Sequence, residues 1–477
     1  MYKSKINRYI VPIAFCLAIA GCKTPAVATS ATNNAIPESF GTSKDTTNTA
    51  ALQWRNFFTD KNLVALIDTA LKNNQELQVT LQEIEIAKND IRIKKSALLP
   101  TAGIRAGAGV EKVGRYTSQG AGDATTEIAP GKEFPDPLTD FTVAAYANWE
   151  VDIWKKLRNS KKAAVTRYLS SVEGKNFVLT NLIAEVASSY YELQALDNQL
   201  AIVKQNIGLQ KNALEIVKIQ KEASRATELA VQKFQAEVLK SQSLEFEIAQ
   251  QIKETENRIN LLLGRYPQEI SRDTNDFIGL VPTAIQAGIP SQLLANRPDI
   301  KQAELDLAAA KLDVKVARAE FYPSFEISGA VGYQAFKTSY LFQSPQSLLY
   351  SLAGELVAPL INRNAIKAEF KNANARQIQA MYNYERVILK AYLEVSNQLS
   401  NVENLEKSYN LKSKQVEALN RSIEASNDLF RSARVDYFEV LMTQRDALES
   451  KLELIDTKKE QLNAVVNVYK DLGGGWK

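Results

Sequence analysis

"NQELQVTLQEIEIAKNDIRIKKSALLPTAGIRAGAGV", residues 74–110, falls without a gap on "RPDIKQAELDLAAAKLDVKVARAEFYPSFEISGAVGY", residues 297–333, when the chain is slid along itself by 223 positions. Leu77 meets Ile300, Ile84 meets Leu307, Ala87 meets Ala310, Ile91 meets Val314, and Pro100 meets Pro323. Both copies read as a helix, then a proline that cannot continue it, then an alternating segment. Self-similarity of this kind means one architecture written twice. A chance likeness of two helices would not share the proline break and the strand pattern behind it.

Working outward, a slide of 209 lays "TELAVQKFQAEV" (227–238) on "DYFEVLMTQRDA" (436–447), and Leu263-Gly264 on Leu472-Gly473. The offset shrinks because the first copy holds an extra stretch, Gly114 to Pro137, whose Gly, Pro and Asp content marks a loop. The organisation this predicts is a signal at 1–21, a tether at 22–60, a first repeat at 61–264, a linker at 265–297, a second repeat at 298–473 and a tail at 474–477.

Each repeat holds two candidate strands, near 101–117 and 139–152 and near 324–337 and 347–360. Ile104, Ala106, Ala108 and Val110 alternate with Arg105 and glycines, and Phe141, Val143, Ala145, Ala147 and Trp149 alternate with Thr142, Ala144, Tyr146, Asn148 and Glu150. In the second copy Phe325, Ile327, Gly329, Val331 and Tyr333 alternate with Glu326, Ser328, Ala330, Gly332 and Gln334. Half-buried strands of a soluble sheet and strands of an outer-membrane barrel share this pattern. Four strands cannot close a membrane barrel, and unpaired edges are not tolerated in lipid. If these strands cross a membrane, the barrel is shared between chains.

The helices between them are long. No proline interrupts Lys155–Glu222; Val186, Leu193, Leu200, Ile207 and Leu214 recur every seventh residue there. Ile388, Val395, Val402, Tyr409, Val416, Ile423 and Phe430 do the same in the predicted helix 363–431. A sustained heptad stripe packs helices lengthwise, and some 65 residues reach roughly 100 Å. Return helices follow at Thr227–Leu263 and Asp436–Leu472, and shorter ones lead into the strands at Lys61–Leu98 and Pro298–Phe321. The expected picture is a column of helices continuous with a sheet. A dimeric coiled coil would account for the heptads and leave the strand pairs unexplained.

At the start, Lys3, Lys5 and Arg8 precede an apolar run from Tyr9 to Ala20. Basic head, short apolar middle and small residues before a cut make a secretory signal. A plain signal accounts for the run; Ile19-Ala20-Gly21-Cys22 goes further and resembles a bacterial lipobox, in which Cys22 becomes the acylated first residue. Lys23 follows, where an acid often retains lipoproteins at the inner membrane. Residues 23–50, rich in Thr, Ala, Ser and Asn, read as a tether. Loss of the three basic residues lowers the net charge from +4 to +1, which leaves no basic field for nucleic acid. With no histidine and one cysteine outside the signal, a histidine-ligated metal and a Cys-rich metal site are excluded, and no phosphate-loop or nucleophile-elbow run is present. No cofactor is called for. A carboxylate-only enzyme stays open, although nothing places two acids in one cleft.

Trp54…Phe57-Phe58, Trp149-Glu150-Val151-Asp152-Ile153-Trp154, Arg297-Pro298-Asp299-Ile300, Phe321-Tyr322-Pro323 and the closing Leu472-Gly473-Gly474-Gly475-Trp476 stand in an order and spacing that resembles TolC-type outer-membrane factors. The likeness covers nearly the whole mature chain and points to the acylated, OprM/NodT-like branch. It implies an α+β membrane protein: a homotrimer whose twelve-stranded β-barrel takes four strands per chain and continues into a periplasmic α-helical barrel. Such a protein is not an enzyme. It implies a passive outer-membrane exit duct for drugs or other small compounds, working with a periplasmic adaptor and an inner-membrane transporter, with RND the favoured type. The other reading of the residues is a lipid-anchored periplasmic coiled-coil adaptor or scaffold, which the duplicated strand pairs argue against.

The resemblance also implies that the two helix reversals form the closed, adaptor-binding tip. Phe438-Glu439-Val440 matches the family's Leu-Asp-Val-type motif and makes Glu439 the candidate pore carboxylate. Arg434 and Asp436 are candidates for inter-chain ion pairs, or else exposed helix-end charges, and Phe430 is grouped with the gate. Arg225, Thr227, Leu229, Val231, Val435 and Phe438 are the expected adaptor contacts. Ala230 and Met442 stand where the family commonly has acids.

Overall fold

The computed structural model of the chain describes residues 36–40, 46–273, 277–359, 363–432 and 434–476. The expected signal at 1–21, Cys22 and Lys23 lie outside the described residues. Seven helices carry most of the chain: α1 (Lys61–Asn73), α2 (Gln75–Ser96), α3 (Lys156–Glu222), α4 (Glu228–Leu262), α5 (Pro298–Ala319), α6 (Asn364–Arg431) and α7 (Tyr437–Asp471). Four strands, β1 (Thr101–Glu111), β2 (Leu138–Val151), β3 (Ser324–Ala335) and β4 (Leu348–Val357), form one antiparallel sheet in chain order. Among the described residues no helix is long and apolar enough to cross a bilayer.

The chain divides into two compact units. The first, Glu85–Tyr168 with Leu305–Met381, contains the sheet. Its register fixes what each face carries, because directly paired residues point the same way. Arg105 pairs with Ala144 and Ala144 with Gly332; Glu150 pairs with Glu326 and Glu326 with Glu355. One face therefore carries Arg105, Glu111, Asp140, Thr142, Asn148, Gln334 and the row of Glu150, Glu326 and Glu355. The other carries Ile104, Val143, Trp149, Ile327, Val331, Tyr350 and Leu352 and no charge in its paired strands. Strands of 10 to 14 residues match the roughly 9–11 that span a bilayer when tilted. β1 and β4 are the margins, and each pairs on one side only among the described residues. Beneath the strands Phe321 packs on Phe370 with Val314 and Ala317, and Trp154 stacks on Tyr322 while its Nε1 donates to the Pro323 carbonyl at 2.8 Å.

The second unit, Thr32–Ile84, Leu169–Glu304 and Tyr382–Lys477, is helical. Phe57, Leu63 and Ile67 pack with Ile183, Val186, Tyr190 and Leu193 of α3, and with Ile259, Val466 and Tyr469. Asp60 both caps α1, accepting from Asn62 N at 2.7 Å, and accepts the Tyr190 hydroxyl at 2.7 Å. Arg272 pins the linker by donating to Asp197 on α3 and Glu256 on α4. The heptad stripe of α3 is largely buried, with Val186 and Leu193 at 0% exposure. That of α6 is half-buried at Ile388, Val402, Tyr409, Val416 and Ile423, and so is incompletely covered within one chain.

Several elements differ from the expected ones. The helix anticipated over Lys61–Leu98 is two helices, because Asn74 leaves the helical backbone, accepts from Leu77 N at 2.9 Å as a cap and donates to the Leu262 carbonyl at 3.0 Å. β1 stops at Glu111, six residues short of 117, where pairing with Leu138 ends and Thr117 caps a short helix, Ser118–Asp123. The loop after it is partly ordered, with a two-stranded ribbon at Glu127–Ala129 and Lys132–Glu133. β3 ends at Ala335 and β4 at Val357; Pro359 follows β4, lacks a donor and cannot extend a ladder. Thr227 and Asp436 cap the return helices and are not in them.

Candidate functional site: the paired helix reversals

The two reversals are built alike because their sequences are. After α3, Ser224 takes a left-handed backbone (φ 59°) and Arg225 N donates to the Gln220 carbonyl at 2.8 Å. After α6, Arg434 N donates to the Leu429 carbonyl at 2.9 Å, the same six-residue closure that ends many helices. Thr227 Oγ1 then accepts from Ala230 N at 3.2 Å, and Asp436 Oδ1 from Phe438 N at 2.6 Å and Glu439 N at 3.4 Å. These caps satisfy donors that helix starts leave open.

Inside the tip, Val217 of α3 packs with Ala230, Val231, Phe234 and Val238 of α4 and Leu441 of α7, with Phe430 and Tyr437 half-buried against them. Lys233 Nζ sits 4.9 Å from the centre of the Phe438 ring, and Lys221 pairs with Glu228. The structure thus gathers the expected site residues into two sets. Val231 and Phe430 belong to the packed interior, and Val435 is half-buried. Arg225, Thr227, Leu229, Arg434, Asp436, Phe438 and Glu439 are exposed, Leu229 by 59% and Phe438 by 45%. Ala230, which stands where the family commonly has an acid, is fully buried. An ionised carboxylate there would lose its water.

Sequence reasoning missed two features. Asp436 is committed to capping within its own chain, a role that an acid three residues before Glu439 could have signalled. The row Glu150–Glu326–Glu355 needs the strand register to be seen; within it Glu150 pairs with Lys156 at 2.5 Å. Among the described residues no group of His, Cys, Asp or Glu could hold a metal ion.

Comparison with known proteins agrees with this architecture. The family model described as "Outer membrane efflux protein" matches residues 66–265 and 289–474. The pyoverdine export outer membrane protein OpmQ of Pseudomonas aeruginosa is 29% identical over 89% of this chain and 88% of its own length. The probable outer membrane lipoprotein SilC of Salmonella typhimurium is 27% identical over the full length of both. The open-state structure of the Neisseria gonorrhoeae MtrE outer membrane channel superposes with a TM-score of 0.82 at 23% identity, covering 95% of this chain and 99% of that one. The likeness extends through both repeats, and it sets aside the adaptor and enzyme readings. The chain belongs to the TolC-type outer membrane efflux protein family: it is a passive outer-membrane channel component of a tripartite export system, with a periplasmic helical region and a sheet that closes into a barrel on trimer assembly.

Proposed function

We propose that the chain is the acylated, OprM/NodT-type exit duct of an RND-type pump for drugs or other small compounds, held in the outer membrane by lipid on Cys22 and by its strands. The observation that best supports this is the two-faced sheet with two open margins. A sheet that is apolar on one side and bears Arg105, Asp140, Asn148 and four glutamates on the other suits neither water nor lipid alone. Three copies joined edge to edge leave no margin, turn the apolar face to lipid and enclose the charged face around water. Several acyl chains on Cys22 would add a firm tether.

In the helical unit, the reversals are the periplasmic closing end and the adaptor's docking surface. Glu439, repeated around a three-fold axis, makes an anionic ring that favours cations. Asp436 acts through the cap that sets the first turn beneath Phe438 and Glu439, and Arg434 lines the same rim. Leu229 and Phe438, apolar and exposed at matching positions of the two repeats, anchor an adaptor hairpin, with Arg225, Thr227, Val231 and Val435 around them.

Tyr116 is fully exposed in the loop between β1 and β2, whereas a side chain at Gly120 would meet the Gly114 carbonyl. Tyr116→Cys should therefore react with a membrane-impermeant maleimide on intact cells. Reaction only after the outer membrane is permeabilised would place the sheet in the periplasm and end the proposal. In planar bilayers, Glu439→Ala should lower cation preference; unchanged conductance and preference would remove Glu439 from the pore.

A further inference from the structure

Within the helical unit the apolar core is broken near the reversals. One cluster holds Leu214 and Val217 of α3, Phe234 and Val238 of α4 and Leu441 of α7. The next holds Val203 and Ile207 of α3, Ile248 of α4 and Leu448 of α7. All three helices run through both clusters, yet the first shares no packed residue with any other described cluster. The second shares Ile252 with the core around Tyr190.

Between them, beside the small Ala447, lie buried polar side chains. Gln210 falls between Ile207 and Leu214, Ser241 between Val238 and Ile248, and Gln444 between Leu441 and Leu448. Gln210 is 0% exposed, Ser241 2% and Gln444 6%. Neither side-chain polar atom of Gln210 meets a protein partner, nor does Oε1 of Gln444 or Nδ2 of Asn206 one turn away. Buried amides left in that state are costly, and water is the usual partner of such groups. A lone polar residue in a helical seam is also the known device for giving up stability in exchange for a defined arrangement. At the same level α3 carries Gly208, around which a Cβ would find open space. No close approach calls for glycine there, and glycine loosens a helix interior.

We infer that Gln210, Ser241 and Gln444 form a hydrated polar layer about which the tip of both helical hairpins moves as one block on the rest of the helical unit. Water can rearrange across such a layer where interdigitated leucines could not, so the ends of α3, α4 and α7 beyond it are free to tilt together while the tip cluster stays intact. The layer marks where the closing end is hinged. This consequence for opening rests on the gate reading above; the motion itself does not.

Hydrogen–deuterium exchange on the detergent-solubilised full chain reads the motion. In the wild type, amides at the layer, 206–212, 239–244 and 442–447, should exchange about tenfold faster than those of 182–204 and 448–466. Joining the two clusters with Gln210→Leu and Gln444→Leu should slow the layer by about tenfold, and Gly208→Ala, which meets no neighbour, should slow it in the same direction. Equal protection of the layer and of 182–204 in the wild type, or a layer indifferent to all three substitutions, would overturn the inference. A split exchange pattern with conductance indifferent to Glu439 would sink the gate and keep the hinge. Uniform exchange with Glu439-dependent conductance would do the reverse.

Discussion

Arg297 Nη2 lies 2.9 Å from Glu394 Oε2, and this contact joins the start of α5 to the middle of α6. The same guanidinium, 5% exposed, donates to Asp299 at 2.7 and 3.0 Å and to the Asp471 carbonyl at 3.0 Å, tying in the end of α7. Removing it takes the guanidinium from half-buried Asp299, leaves Glu394 with only the exposed Lys390 and strips the Asp471 carbonyl of a donor; hydrogen bonds to charged groups of this kind contribute about 1.5–3 kcal/mol. Arg297→Ala should therefore lower stability by that order in denaturant unfolding. Arg297→Lys should recover only part of it, because an ammonium cannot reproduce the forked contact with Asp299.

Beside this hub, burial pushes the Asp471 carboxyl above its ordinary range; Lys470 and Arg297 oppose the shift and Glu394 adds to it. An acid whose folded pKa is raised binds its proton more tightly in the folded state. Its contribution is thus fully present below the unfolded value of about 4 and is lost as pH rises through the raised folded value. Asp471→Asn keeps the backbone acceptor for Arg297 and removes the titration. The variant should show a flatter stability–pH profile from pH 4 upward and, near neutrality, be at least as stable as the wild type. An unchanged slope would mean that Asp471 does not set it.

At the second reversal the cap and the charge of Asp436 can be separated. Loss of a cap costs about 0.5–2 kcal/mol, whereas an exposed ion pair contributes about 0–1 kcal/mol. Asp436→Asn keeps an acceptor for Phe438 N and Glu439 N but no charge; Asp436→Ala keeps neither. The alanine variant should lower the thermal midpoint and alter closure in bilayer recordings, with the asparagine variant close to wild type. Equal effects of the two would return Asp436 to the inter-chain ion pair that its charge first suggested.

The repeat was legible because it is carried by local chemistry: prolines at 100 and 323 end helices whatever surrounds them, and strand alternation survives in any sheet. The lengths of α3 and α6 were legible for the same reason, through their heptads. Asn74 was not, since its departure from helix is secured by the Leu262 carbonyl, 188 residues away. Nor was Arg297 as a hub, because three of its acceptors are placed by α5, α6 and α7 together. At the tip, the Leu229/Phe438 pairing could be read from the 209-residue offset. That Ala230 is buried while its equivalent, Glu439, is exposed could not, since equivalent positions of a repeat need not meet equivalent neighbours.

The sheet offers a test of its own register. A Cβ at Gly332 would lie 2.3 Å from the Val143 carbonyl oxygen and 2.4 Å from Ala144 Cα, both backbone atoms of the paired strand. Backbone cannot swing aside as a side-chain end can, so β2 and β3 would have to part. At Gly329, three residues earlier on β3, the nearest atom is the Ser351 carbonyl oxygen at 3.5 Å, an ordinary contact. Gly332→Ala should cost about 1–3 kcal/mol or more and, by loosening the β2–β3 pairing, deplete the assembled trimer in outer-membrane fractions run on unheated gels. Gly329→Ala should assemble as the wild type does. If both variants assemble equally, the pairing of Ala144 with Gly332 is wrong, and with it the row that sets Arg105 on the same face as Glu150, Glu326 and Glu355.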